Sequence, residues 1–256
     1  MRLEKIAQVV IGAQFGDEGK GRLIDYYAAS AGSDSLVIRF NGGAQAGHTV
    51  VTPEGRRHVF SHVGSGAFAG AATFLSRFFV ANPILFLKEL NALAELGVTP
   101  TVLIDPASPA TTPYDMMINQ IIERERGDGR HGSCGIGFGE TLERHQHPVY
   151  ALTVGELADA ALADRLEAIR RDYAPARLAR LGFGDACLRE AGLFQSDVIL
   201  ERYVEDVHRF LGAVTVIDAQ AAIQGRRILF EGAQGLLLDQ ERGFFPYVTR
   251  SHTGLR

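Results

Sequence analysis

Residues 12–21 read Gly-Ala-Gln-Phe-Gly-Asp-Glu-Gly-Lys-Gly, which sets one cation and two carboxylates among four glycines. A stretch of this kind between a strand and a helix suits a phosphate. Glycine lets backbone N–H groups turn inward, the helix N-terminus faces the anion, and Lys20 adds positive charge. The spacing is not that of the standard phosphate loop, G-x-x-x-x-G-K-[ST]. Gln14 stands where the first glycine belongs, and Gly21 where the hydroxyl belongs. The missing hydroxyl removes a metal ligand, and Asp17 can replace it. Asp17 and Glu18 are candidates for metal binding or general-base work. An exposed acidic pair in a loop is the alternative, and spacing alone does not separate the two. A ligand-free glycine turn is the competing reading of the whole stretch, but packing does not account for a lysine and two carboxylates inside it.

Three further glycine clusters follow. Phe40 to Val50 reads FNGGAQAGHTV and carries His48 between Gly47 and Thr49, where an imidazole can exchange a proton near neutral pH. Taken alone, a loop histidine is more often only solvated. Gly127 to Glu140, GDGRHGSCGIGFGE, offers Arg130 and Ser133 as anion donors, or else forms a lid without direct contact. Cys134 lies in it with no evident base nearby and reads as inert, and Cys134, His145 and His147 make no convincing zinc pattern. Phe230 to Asp239, FEGAQGLLLD, presents Gln234, whose amide suits a purine edge or a phosphate; a simple strand-end turn is the other reading. Thr249, Arg250 and Ser251 come soon after and are phosphate donors or ordinary surface residues.

These loops need a scaffold. Ile6–Ile11 is a β-branched run fit for a buried strand, followed by a helix over Arg22–Ala29 burying Leu23, Ile24 and Tyr27. Ser35–Phe40 is a second strand, and Thr49–Val63 a hairpin around Pro53-Glu54-Gly55. Asn82 and Pro83 start a helix that Gly97 stops, with Ile84, Leu87, Leu90 and Ala94 inward. Val98–Ile104 is a strand, and Thr112-Pro113 opens a helix burying Met117, Ile118, Ile121 and Ile122. A helical block spans about 153–211, with breaks near Pro175 and Gly182, before strands at 214–217 and 227–230. The pattern is α/β, one domain over residues 1–256 with a largely parallel sheet and a helical insertion.

Composition narrows the class. The chain has 256 residues, 46% of them hydrophobic and 22% charged, enough for a packed core. Lys and Arg number 26 against 30 Asp and Glu, a net charge of −4, which argues against nucleic-acid binding by bulk charge. Two cysteines, Cys134 and Cys187, cannot build a disulfide framework, so a reducing compartment is expected. MRLEKIAQVVIG makes a poor signal peptide, and the apolar run Phe78–Leu87 is too short for a bilayer; a soluble, cytoplasmic protein with no membrane partner is expected. Glycine is the skewed residue: 29 in all, 15 of them in the four clusters.

The clusters in this order resemble the adenylosuccinate synthetase family. GDEGKG (Gly16–Gly21), AGHTVV (Ala46–Val51), GIG (Gly135–Gly137) and FEGAQG followed by PYVT (Pro246–Thr249) carry the resemblance across residues 8–249. It implies a mainly parallel sheet related to P-loop proteins. It also implies a ligase of AMP biosynthesis that joins L-aspartate to C6 of IMP, through a 6-phosphoryl intermediate, at the cost of GTP. By motif position, Asp17 is implied as the base for N1–H and as a Mg²⁺ ligand, with the Gly47 carbonyl as another. His48 is implied as the acid supporting phosphoryl transfer. Gly16, Glu18, Gly19, Lys20, Gly21 and Thr49 fall at nucleotide-binding positions; Gln45, Ala46, Gly47, Ser133, Gln234 and Thr249 fall at substrate positions. The chemistry agrees: deprotonating N1 makes O6 nucleophilic, and phosphorylating O6 makes it a leaving group. A homodimer is implied as well, and Arg144 is the candidate for an arginine lent across its interface.

The chain departs from the family pattern in places. Phe15 replaces a tryptophan, Gln45 stands where asparagine is common, and HGSCGIG replaces a Thr-Thr-Gly-rich stretch. The Lys-x-Asp guanine-reading motif and the arginine-rich aspartate loop are not found before the last residue, Arg256. The expectation is a chain holding much of the IMP and phosphate site without guanine discrimination or aspartate capture, and without full activity by itself. Two alternatives stand beside this reading. Phage-type relatives aminate dGMP, can use an adenine nucleotide as donor, and commonly have serine at the position of Asp17. The other alternative is a non-catalytic purine-nucleotide-binding fragment.

Overall fold

The computed structural model describes residues 7–255, apart from the side chain of Cys187. Ile6, where the first strand was expected to begin, and Arg256 lie outside the described residues. Six strands form one parallel sheet: β1 (Ala7–Gly12), β2 (Ser35–Arg39), β5 (Ala72–Leu75), β6 (Val102–Ile104), β7 (Thr215–Val216) and β8 (Arg227–Gly235). Their order is β1-β8-β2-β5-β6-β7. β3 (His48–Val51) and β4 (Arg57–Phe60) make a separate antiparallel hairpin, turning at Gly55 as its φ of +87° requires.

The last strand in the chain, β8, inserts between the first two. Glu231 therefore lies in register with Val10 on one side and Arg39 on the other. The loops leaving β1, β2 and β8 all emerge at the carboxyl end of the sheet, where open parallel sheets bind ligands.

α1 (Lys20–Ala31) begins two residues earlier than the apolar pattern implies. It buries Ile24 and Ala28 against Val10, Val37 and Leu229, and Lys20 and Gly21 at its start, so Leu23 turns outward and Tyr27 is half-buried, contrary to expectation. α2 (Pro83–Glu95) starts as expected: Asn82 accepts from Leu85 N at 3.1 Å and Pro83 holds the first turn. Its fully buried residues are Phe86 and Leu93, while Ala94 is exposed. At its end Gly97 N bonds Ala94 O and Val98 N bonds Leu93 O, a left-handed glycine stop. That stop holds Val98 at the helix end and delays β6 to Val102.

α3 (Pro113–Glu125) opens with a Thr112–Asp115 capping box and buries Ile118, Ile121 and Ile122. α4 (Phe138–His145) follows the third glycine cluster. Between β6 and β7 lie α5 (Leu162–Ala168), α6 (Ala174–Arg180, Pro175 in its first turn), α7 (Gly184–Arg189), α8 (Ala191–Phe194) and α9 (Asp197–Ala213). α10 (Ala219–Ala222) leads into β8. The largest apolar cluster joins Phe86, Tyr114, Ile118, Leu166 and Phe210, tying α2, α3 and the helical block to the sheet.

The sequence reading missed β5. All four of its residues are buried, so it shows no in–out alternation to read.

Candidate functional site

The glycine loop after β1 folds back onto the end of β8. A Cβ at Gly16, whose φ is +103°, would lie 2.8 Å from the Gln234 backbone. A Cβ at Gly21 would lie 2.7 Å from that of His48. The absent hydroxyl at position 21 thus has a steric cause: helix α1 and the hairpin approach too closely for any side chain there.

Inside the loop, Glu18 accepts from the amides of Gln14 at 2.6 Å and Gly16 at 3.3 Å. Desolvation raises the Glu18 pKa, but the backbone bonds and Lys20 together bring it below the ordinary carboxylate value. Lys20 is buried, donates to Gly16 O at 2.6 Å and lies 4.0 Å from Glu18. Burial lowers its pKa, while Glu18, Glu231 and Asp17 oppose that shift. Asp17 is exposed and hydrogen-bonds to no described residue.

His48, the first residue of β3, is buried, and its Nδ1 lies 2.6 Å from Glu231 Oε1. Glu231 also accepts from Ser65 N at 3.0 Å and from Ser65 Oγ. Arg39 Nε stands 4.0 Å away, and Arg39 Nη1 is anchored on Ser61 O at 2.8 Å. Burial alone would raise the carboxyl pKa, but His48 and Arg39 hold it down at about 2. An ionised carboxylate only accepts, so His48 Nδ1 donates and Nε2 is left for another partner. Burial lowers the His48 pKa; Glu231 opposes this, and Arg39 and Lys20 add to it. Glu231 and Arg39 went unassigned from sequence because a charged residue inside a strand reads as a surface position. Only the register of β8 between β1 and β2 turns them inward.

Beside this centre a cavity of about 630 Å³ is lined by Gln45, Ser133, Gln234, Thr249 and Arg250, with Phe245 among its walls. Both polar atoms of the Gln45 side chain and the Gln234 Oε1 are buried without hydrogen-bond partners. Gln234 is also the one non-glycine residue with positive φ (63°) among those described. Unsatisfied amides at a cavity wall, one of them on a strained backbone, are what a ligand's polar groups would complete.

The remaining sequence candidates fall around these two features. Ala46 is buried and Gly47 is exposed. Thr49 is exposed, on the opposite face of β3 from His48. Gly19, in the left-handed region, immediately precedes α1. Arg130 is exposed and is not among the lining residues.

The loop bearing Ser133 is strapped to one face of α3. Asn119 Nδ2 donates to Ser133 Oγ at 2.7 Å, Gln120 Nε2 donates to Gly135 O at 2.9 Å, and Glu123 accepts from the amides of Gly132 and Ser133.

Arg144 requires a correction. It is fully buried and makes a two-pronged ion pair with Asp115, both contacts at 2.8 Å, and it also donates to Tyr150 O and Ala110 O. It holds the start of α3 to α4 and cannot be lent to another subunit.

No group of three or more His, Cys, Asp or Glu among the described residues can hold a metal by itself. Asp17 nevertheless fits a hard divalent cation: it is an exposed carboxylate free of protein bonds, placed beside a phosphate-type loop. Mg²⁺ usually takes one or two protein oxygens and completes its shell with phosphate and water.

A parallel α/β sheet with glycine loops at its carboxyl edge, a buried lysine in the first loop and a carboxylate-bound histidine defines an α/β protein with a phosphate-type loop at the ligand-binding edge of its sheet. The sequence profile of the adenylosuccinate synthetase family matches residues 9–256, and the chain belongs to that family. It is 33% identical over 248 residues to the adenylosuccinate synthetase of Streptomyces griseus, covering 96% of this chain and 56% of that protein. It is 34% identical over 252 residues to that of Streptococcus gordonii, covering 95% and 55%. The chain thus spans about half the length of these relatives. The fold is shared with the fully ligated adenylosuccinate synthetase of Plasmodium falciparum (TM-score 0.69, 20% identity, 97% of this chain and 56% of that one). It is shared as well with the cyanophage S-2L succinoaminodeoxyadenylate synthetase, solved with dGMP and with dATP as an energy donor (TM-score 0.62, 20% identity, 97% and 57%). Among the described residues no helix is long and apolar enough to cross a membrane.

Proposed function

We propose that this chain carries the nucleotide half of an adenylosuccinate synthetase, which couples GTP to the joining of L-aspartate and IMP. The observation that carries the reading is the pair of unpartnered amides, Gln45 and Gln234, in a cavity whose Gln234 backbone packs against Gly16 of the Lys20 loop. IMP would occupy the cavity, with Gln45, Ala46, Gly47, Gln234, Thr249 and Ser133 around it. Asp17 takes the N1 proton, and O6 attacks the γ-phosphorus of GTP as GDP leaves. The aspartate amine then adds at C6 and phosphate departs with O6. Lys20 and the amides of Gly19 and Gly21 hold the transferred phosphate; Gly16 and Glu18 shape the loop around it, since the Gly16 amide is taken by the Glu18 carboxylate, and Thr49 stands at the nucleotide's edge. His48 is fixed through Nδ1 on Glu231 and presents Nε2 to the phosphoryl group. Asp17 and the Gly47 carbonyl would hold Mg²⁺, which neutralises charge on the transferring phosphate when bound. In this reading residues 1–256 act as one unit with the helical block of about 153–211 inserted, and the protein is a cytoplasmic homodimer.

A dGMP-accepting enzyme is the second reading, favoured by the likeness in fold to the cyanophage protein. Aspartate at position 17, rather than serine, supports IMP. The test is phosphate release by the chain with Mg²⁺, GTP and aspartate, using IMP or dGMP as acceptor, with calorimetric binding of each acceptor alongside. Release that depends on IMP and is abolished by Asp17→Asn supports the synthetase. Release that depends on dGMP selects the second reading. Binding of IMP without release selects a nucleotide-binding fragment, and binding of neither acceptor overturns the proposal.

A further inference from the structure

We infer that Asn119 is a positioning residue that fixes the Ser133 hydroxyl as a hydrogen-bond donor into the cavity, toward the phosphate of a nucleoside monophosphate; the inference rests on the nucleotide reading above.

The logic begins at Gly137, whose φ is +82°. A Cβ there would lie 2.8 Å from Met116 N and 2.9 Å from Asp115 C, so its backbone is pressed against α3. Its N–H can only donate, and it donates to Asn119 Oδ1 at 3.2 Å. That bond settles which way the Asn119 amide faces, because its two ends are otherwise interchangeable in shape. With Oδ1 on Gly137, the NH₂ group must face Ser133, where it lies 2.7 Å from Oγ. An amide NH₂ has no lone pair to offer, so Ser133 Oγ accepts. The hydroxyl proton is then free of Asn119.

The backbone offers no substitute donor. Glu123 Oε2 already holds Gly132 N at 2.8 Å and Ser133 N at 3.1 Å. The amide pair that would otherwise make an anion nest is closed by a carboxylate. The donor left to Ser133 is its O–H, on an exposed side chain lining the cavity. Gln120 on Gly135 O, at 2.9 Å, keeps the loop from turning Ser133 away. A backbone N–H thus sets an amide, the amide sets a hydroxyl, and the hydroxyl gives this wall of the cavity a donor for an anionic oxygen.

The test compares affinities by calorimetry for IMP against inosine, and for dGMP against deoxyguanosine. Asn119→Asp keeps the shape and the acceptor for Gly137 but reverses the other contact, so that Ser133 donates to the new carboxylate. The expected result is a monophosphate bound about ten- to a hundredfold more weakly, with the nucleoside nearly unchanged. Ser133→Ala, at an exposed position that leaves the fold intact, loses about as much, and Ser133→Thr keeps the affinity. The double variant Asn119→Asp, Ser133→Ala is no weaker than either single one. If Asn119→Asp weakens binding equally in the Ser133→Ala background, the added charge is acting directly and the inference is overturned. Unchanged monophosphate preference in either single variant overturns it too, with the nucleotide reading intact. A wild-type chain that binds neither monophosphate, or binds it no better than its nucleoside, overturns both.

Discussion

Around His48 and Lys20 the chain supplies its own counter-charges, though Arg39 Nε and Nη2 lack hydrogen-bond partners, whereas the adjoining cavity keeps neutral amide atoms that no residue satisfies. Glu231 holds His48 and faces Arg39, and Glu18 closes the amides of the first loop. Gln45 and Gln234, one turn of chain away, have buried amide atoms with no partner. The two regions meet at the close contact of Gly16 with Gln234. Under the proposed function, the difference separates two tasks. Groups that handle a moving phosphoryl charge gain from being preorganised, since reorienting dipoles during the reaction is costly. Groups that read a substrate keep their bonding capacity until it arrives, and the mismatch penalty for an imperfect ligand is the source of selectivity.

The sharpest way to break this comparison is Glu231→Ala. It leaves a buried histidine and a buried arginine without their carboxylate, and the expected loss is about 3–5 kcal/mol in urea denaturation. A loss below about 1 kcal/mol would mean that the centre is not held by its own charges. Gly21→Ala comes next. Its new methyl meets His48 Cβ at 2.7 Å, and overpacking of this kind costs about 1–3 kcal/mol. Tolerance at position 21 would show that α1 and the hairpin have room to part.

Acid sharpens the comparison without mutation. The Glu231 pKa is lowered in the folded chain, from 4.5 to about 2, so protons bind the unfolded chain more readily there. Its contribution is complete above pH 4.5 and is lost as pH falls toward 2. His48 is also lowered from 6.5, so it adds a loss of the same sign that begins below pH 6.5. Denaturation midpoints should fall monotonically with pH from 7, and Glu231→Gln should flatten the lower limb. A midpoint that rises on acidification contradicts both assignments.

The smallest expected effect on stability lies in the cavity. Gln45→Met removes two atoms that lack partners, so the unfolding free energy should change by less than about 1 kcal/mol in either direction. IMP affinity in the same variant should fall at least about tenfold. An equal loss of stability and affinity would erase the distinction between the two regions.

Much of the first region was legible in the chain. Glycines with Asp17, Glu18 and Lys20 between a strand and a helix leave few physical readings, and His48 stands within a recognisable motif, as Gln234 of the cavity does. Local pattern also placed α2 and α3, because Asn82-Pro83 and Thr112-Pro113 are start signals that act within one turn. It placed Leu23 and Ala94 on the wrong faces, since in both helices the buried stripe includes residues chosen by neighbours rather than by hydrophobicity. The polar stripe Asn119, Gln120 and Glu123 carries no local signal of its role, and it holds the loop that carries Ser133.

By itself the sequence determined which segments bend, which begin helices and which side chains are capable of phosphate and proton chemistry, because those properties belong to a residue and its near neighbours. Tertiary structure alone decided that Glu231 serves His48 across 183 positions, that Arg144 closes on Asp115 instead of facing outward, and that Gly21 has no space for a hydroxyl. Each of these depends on inserting β8 between β1 and β2, or on helices meeting across a gap. A charge has no direction in a sequence until the register of its strand and the approach of its neighbours give it one.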